Sequence, residues 1–84
     1  MYDYYFTFPT LTASQQAMMY LRTVGIVTDP VKVPLTASSG GCANGLGVGA
    51  IRAASAAAAL RRASLSPSKI FRRDNGAMLR EVWL

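Results

Sequence analysis

The chain has 84 residues, of which 51% are hydrophobic and 15% charged, and nine Lys and Arg against four Asp and Glu give it a net charge of +5. This length fits one domain over residues 1–84, and the composition is too apolar and too weakly charged for a disordered chain. The sequence contains no histidine, which excludes imidazole acid–base catalysis, and its four carboxylates fall in different predicted elements. Hydrolase chemistry is therefore disfavoured.

The first predicted elements are a strand and a helix. Residues 2–8 (YDYYFTF) alternate their side chains between two unlike faces, as a central strand does. Pro9 closes this strand, and Thr12 followed by Gln15 forms a capping box that predicts the start of a helix. Apolar residues then recur at helical spacing, and Gly25 is the predicted left-handed end of the helix.

The middle of the chain predicts two more strands and a second helix. Residues 26–35 contain Pro30 and Pro34, which cannot donate to a ladder, so this strand is expected at a sheet edge. Residues 46–51 predict a third strand of small residues, in a stretch where helix and strand are hard to separate. An alanine-rich helix follows from residue 51. Its close-packing face is predicted to contain Ala53, Ala57 and Leu60.

The end of the chain predicts a hairpin. Pro67 ends the second helix, residues 69–73 form a strand, and Asp74-Asn75-Gly76 is a turn signal, so we expect a terminal hairpin over residues 69–84. The order strand, helix, strand, strand, helix, strand predicts an α+β fold. We expect a ferredoxin-like βαββαβ sandwich: an antiparallel sheet with two helices on one face and an extra C-terminal strand.

The single thiol is the main candidate for chemistry. Cys42 lies in SSGGCANGLGVG, within a glycine-rich loop expected over residues 36–49. A lone cysteine is often a small buried apolar residue, but no Leu, Ile, Val or Phe occurs from residue 36 to 45. Backbone N–H groups and the basic character of the protein favour the thiolate form of Cys42. Since no general base accompanies it, this thiolate is better suited to holding a transferred atom than to hydrolysis. The loop residues expected to support Cys42 are Ser38, Ser39, Gly40, Gly41, Ala43 and Gly45.

No metal or cofactor is predicted. One cysteine and no histidine cannot make a structural zinc site, and the glycine run lacks the lysine of a phosphate-binding loop. An unpaired thiol is typical of a reducing compartment, so the cytoplasm is expected. The first ten residues lack the basic and apolar regions of a secretion signal, and no stretch is apolar enough to predict a membrane span.

The order of several short motifs resembles a known family. These are the aromatic strand, FPTLTASQQA at the start of a helix, LRTVGI at its end, then VKVPL, SSGGC and GLGV, across roughly residues 4–73. The pattern is similar to the Se/S carrier-like family of small domain-of-unknown-function proteins. The resemblance implies a sulfur or selenium carrier with Cys42 as the carrying residue, served by donor and acceptor proteins. Two departures are Ala43, where glycine is usual, and an alanine-rich second helix where acidic residues are common.

A carrier of this kind is expected to act as a carrier or binding protein more than as a catalyst. Two other interpretations of the sequence stay open. A basic ferredoxin-like sheet with Tyr4, Tyr5 and Phe6 in its first strand could bind nucleic acid or protein without thiol chemistry, although the predicted third strand carries no aromatic residue. Alternatively, the terminal hairpin with Trp83 could pair with a second copy in a homodimer.

Overall fold

The computed structural model describes residues 2–34, 42–73 and 79–84. Its elements are β1 (Tyr4–Phe8), α1 (Leu11–Thr23), β2 (Asp29–Pro34), β3 (Cys42–Val48), α2 (Ala50–Arg62), β4 (Lys69–Arg73) and β5 (Leu79–Val82). The five strands form one sheet in the order β2-β3-β1-β4-β5, with all neighbouring strands antiparallel. The architecture is α+β and compatible with the expected ferredoxin-like fold, and the predicted central position of β1 and edge position of β2 are confirmed.

Both helices pack on the same face of the sheet. Phe6 of β1 and Leu46 of β3 are opposite each other in the ladder and share one buried cluster with Leu21 of α1 and Leu60 of α2. All four side chains are completely buried. The rest of the buried face of α2 is alanine, which lets the helix approach the sheet closely, and the predicted face is confirmed. Its buried alanines are Ala53, Ala56, Ala57 and Ala59.

The N-cap of helix α1 lies two residues before the predicted one. The N-cap is Thr10, whose Oγ1 accepts a hydrogen bond of 3.0 Å from the Ala13 N–H, so the expectation of a capping box at Thr12 is wrong. Thr10 has the extended conformation that an N-cap needs, with φ of −138° and ψ of 161°, whereas Thr12 is already helical. The predicted end at Gly25 is confirmed, since its φ is 86°.

Strand β3 begins earlier than the sequence predicted. We expected a strand over residues 46–51, but β3 is Cys42–Val48 and α2 begins at Ala50. The expected loop over residues 36–49 is therefore wrong for its second part, which is strand, and residues 36–41 of it lie outside the described residues. Pairing on both sides, with β2 and β1, imposes an extended conformation on residues of weak strand propensity.

The two ends of α2 are capped by different hydrogen bonds, one to a residue distant in sequence and one within the backbone. At its start, the Ala50 N–H donates to Oδ2 of Asp3 at 3.2 Å, which places a carboxylate at the positive end of the helix. At its end, Ser64 has a left-handed φ of 58°, and the N–H of Leu65 donates to the carbonyl of Leu60 at 2.8 Å. This is the hydrogen bond of a Schellman motif, with serine in the position that usually holds glycine.

The C-terminal strands pair as the hairpin prediction requires. Strands β4 and β5 are antiparallel, with Ile70 opposite Val82 and Arg73 opposite Leu79. The predicted turn at residues 74–76 lies outside the described residues. Because β5 is the last strand in the sheet order, its outer edge has no strand partner within the described part of the chain.

Candidate functional site

The backbone places Cys42 at the start of an inner strand. It is the first residue of β3, and its ladder partner is Pro34, the last residue of the edge strand β2. Pro34 has no backbone N–H, so it cannot donate a ladder hydrogen bond to the strand at this point. Cys42 therefore lies at one end of the sheet, where the chain enters β3 from the segment that follows β2.

A lysine is fixed near this end of the sheet. Lys32 of β2 pairs with Asn44 of β3, two residues along the strand from Cys42. The Lys32 Nζ donates a hydrogen bond of 2.8 Å to Oδ1 of Asn44. A cavity of about 140 Å³ adjoins this pair, lined by Leu11, Ser14, Pro30, Val31, Lys32, Asn44 and Gly45. The sequence alone indicates no role for Lys32, because only the register of β2 and β3 brings this residue close to Cys42 in the sheet.

The residues expected to support Cys42 have different placements. Ser38, Ser39, Gly40 and Gly41 lie outside the described residues. Ala43 is in β3 and pairs with Val33.

Gly45, which we expected in a loop, is a buried residue of β3. A Cβ at Gly45 would lie 2.7 Å from Cγ2 of Val33 and 2.9 Å from the carbonyl oxygen of Phe6. Glycine is needed here because the sheet packs too closely for any side chain.

The face of the sheet opposite the helices carries an aromatic group. We call it the second face, and its central residues are Tyr5, Gly47 and Phe71, which are ladder partners across three strands. The Tyr2 ring lies over Gly47, where a Cβ would meet it, and forms an edge-to-face contact with Tyr5, with ring centroids 6.5 Å apart and planes at 83°. Tyr2 supplies the ring that β3 itself lacks.

Of the aromatic residues expected to bind nucleic acid, only Tyr5 belongs to this second face. Phe6 is fully buried under the helices, and Tyr4 packs against the same core cluster. Side chains alternate between the two faces along β1, so Tyr5 points to the face opposite to that of Tyr4 and Phe6. The alternation in the sequence was sufficient to predict this difference.

Within the described ranges, no three His, Cys, Asp or Glu residues lie close enough to hold a metal ion. Neither of the two described helices, of 13 residues each, is long and apolar enough to cross a membrane. Comparison with known proteins found no matching family model, no matching curated protein and no matching solved structure.

Proposed function

We propose that this protein is a sulfur or selenium carrier that uses Cys42 as its accepting thiol. The Cys42 thiolate attacks the outer sulfur of a donor persulfide, forming a new S–S bond while the donor's own S–S bond breaks and the donor leaves as a thiolate. A donor selenenyl sulfide (–S–SeH) delivers selenium by the same exchange, with attack on selenium. No oxidant is consumed, because one chalcogen–sulfur bond replaces another.

The observation that carries this proposal is the position of Lys32 relative to Cys42. The register holds Lys32 two ladder positions from the only thiol of the chain, and its ammonium group is anchored by Asn44. A nearby cation favours a thiolate over a thiol, and it also favours the anionic persulfide that forms after transfer. Lys32 could thus stabilise both the attacking and the loaded form of Cys42.

We propose that the sheet is ferredoxin-like with one added strand. The order β2-β3-β1-β4, with α1 after β1 and α2 after β3, supports this assignment, and β5 extends the sheet beyond β4. In such a sheet the start of β3 suits a small reactive group, because reactive residues are often found where a connecting segment joins a strand.

Mass spectrometry of the intact protein tests the proposal. The native chain is incubated with a cysteine desulfurase and cysteine, and Cys42 should gain one sulfur atom. Lys32→Gln should slow the gain several-fold, whereas Arg22→Gln, which removes a charge from α1, should leave its rate unchanged. If native Cys42 gains neither sulfur nor selenium from its donor and also resists iodoacetamide, the carrier proposal fails.

A second candidate function is binding of single-stranded nucleic acid on the second face. The aromatic group of Tyr2, Tyr5 and Phe71 favours it, because rings on a sheet surface can stack bases. Charge makes it the weaker candidate. Of the charged residues placed on this face by the register, Lys69 and Arg73 are balanced by Asp29 and Glu81, so the basic excess of the chain lies elsewhere.

Fluorescence anisotropy with a labelled oligo(U) at low salt tests this second candidate. Binding that weakens steeply with salt and is lost in Tyr5→Leu, but kept in Tyr20→Leu on α1, would support it. No binding at low salt would dismiss it.

A further inference from the structure

A cavity of about 240 Å³ opens between the C-terminal half of α2 and the strand pair β4 and β5. Ile70 and Val82 form its floor, since they are opposite each other in the ladder and are only partly buried. The other apolar residues that line it are Ala57, Pro67, Trp83 and Leu84.

Arg61 and two serine hydroxyls give this cavity side-chain hydrogen-bond donors. Arg61 lines it one helical turn after Ala57, a spacing of four residues that puts both on the same side of α2. The hydroxyl-bearing Ser66 and Ser68 also line it, and so does Lys69, whose side chain the register places on the second face. None of the described lining residues has an acidic side chain, so no Asp or Glu of the cavity wall balances the positive charge of Arg61.

We propose that this cavity binds a small carboxylate with an apolar body. The apolar floor would bury the body, and the guanidinium of Arg61 would pair with the carboxylate, for which its planar, two-donor geometry is suited. Cavities that hold drug-sized ligands measure roughly 300 to 1,000 Å³, so a volume of about 240 Å³ suits a smaller molecule, such as a medium-chain acid.

This site is separate from the carrier thiol. Cys42 is in β3, next to the edge strand β2, and the cavity lies at β4 and β5, toward the other edge of the sheet. Strand β1 lies between β3 and β4. Ligand binding at the cavity and sulfur transfer at Cys42 can therefore be measured independently, and failure of one does not imply failure of the other.

Tryptophan fluorescence tests the proposal directly. Trp83 is the only tryptophan of the chain, lines the cavity and is 87% exposed, so a bound apolar body should shift its emission to shorter wavelength. Titration with octanoate should give a saturable shift. Octan-1-ol, which has the chain without the charge, and acetate, which has the charge without the chain, should each bind at least about tenfold more weakly.

A matched pair of variants distinguishes binding in the cavity from non-specific attraction of the carboxylate to a basic protein. Arg61→Ala should weaken octanoate binding about tenfold, because it removes the charge-assisted hydrogen bonds to the carboxylate. Arg62→Ala removes another exposed arginine from the same helical turn, but Arg62 does not line the cavity. The affinity of this variant for octanoate should therefore match that of the native chain.

Four results would overturn the proposal. The first is the absence of a saturable shift with octanoate. The second is equal affinity for octanoate and octan-1-ol, and the third is equal weakening of octanoate binding by both arginine variants. The fourth is a Trp83 emission that depends on protein concentration without ligand, accompanied by dimerisation in sedimentation, which would assign this edge to a second copy of the chain.

Discussion

Gly45 offers the sharpest test of how β3 is packed. Alanine at this position would bring its Cβ to 2.7 Å from Cγ2 of Val33 and 2.9 Å from the carbonyl oxygen of Phe6. The Val33 side chain is buried and the Phe6 oxygen is main chain, so neither can move freely. Overpacking of this kind costs about 1 to 3 kcal/mol, and the lower chain entropy of alanine offsets roughly 0.5 to 1 kcal/mol of it. We expect Gly45→Ala to lower the free energy of unfolding by about 1 to 2 kcal/mol.

Gly49→Ala is the matched control. A Cβ there would meet nothing within 4 Å, and Gly49 has an ordinary φ of −71°. Its expected effect is close to zero, because alanine's entropic gain is balanced by its poorer performance as an N-cap. Urea unfolding measures both free energies, and thermal unfolding should show Gly45→Ala melting roughly 5 to 15 °C lower. If the two variants differ by less than about 0.5 kcal/mol, the close packing described for β3 is wrong.

Three further substitutions test local features by the same unfolding assays. Thr10→Ala should cost about 1 kcal/mol by removing the N-cap of α1, whereas Thr12→Ala should cost only a few tenths; equal losses would contradict the assigned cap. Ser64→Gly should stabilise the chain by about 0.5 to 1 kcal/mol because it relieves a left-handed serine, and a loss of stability would count against that conformation. Thr28→Val should be neutral or stabilising by up to about 1 kcal/mol, since Thr28 Oγ1 is buried and has no hydrogen-bond partner among the described residues; a clear loss would point to a partner for this hydroxyl.

The sequence was most informative where local chemistry decides the structure. The left-handed end of α1 at Gly25, the edge position of a strand with two prolines, and the alanine face of α2 each follow from one residue type at one position. The start of α1 could not be fixed this way. Thr10, Thr12 and Ser14 are all possible caps in one short stretch, and only the backbone conformation of Thr10 selects among them.

The candidate site depended more on tertiary structure. The residue inventory identified Cys42 as the only thiol, but the residues around it are weak strand formers, and pairing with two neighbouring strands is what makes them β3. Lys32 became a site residue only through the register with Asn44. In the same way, the Tyr2 ring can lie over the second face only because Gly47 has no side chain there, and no sequence pattern indicates this contact.

The central claim is that Cys42 both accepts and releases a sulfur atom. The most direct measurement follows the mass of the native protein during incubation with a persulfide donor and, after the donor is removed, with a free thiol such as cysteine. The carrier account predicts a gain of one sulfur at Cys42 followed by its loss to the free thiol, with the original mass restored. A chain whose mass never changes, or one that gains sulfur no faster when native than when unfolded in urea, would contradict it.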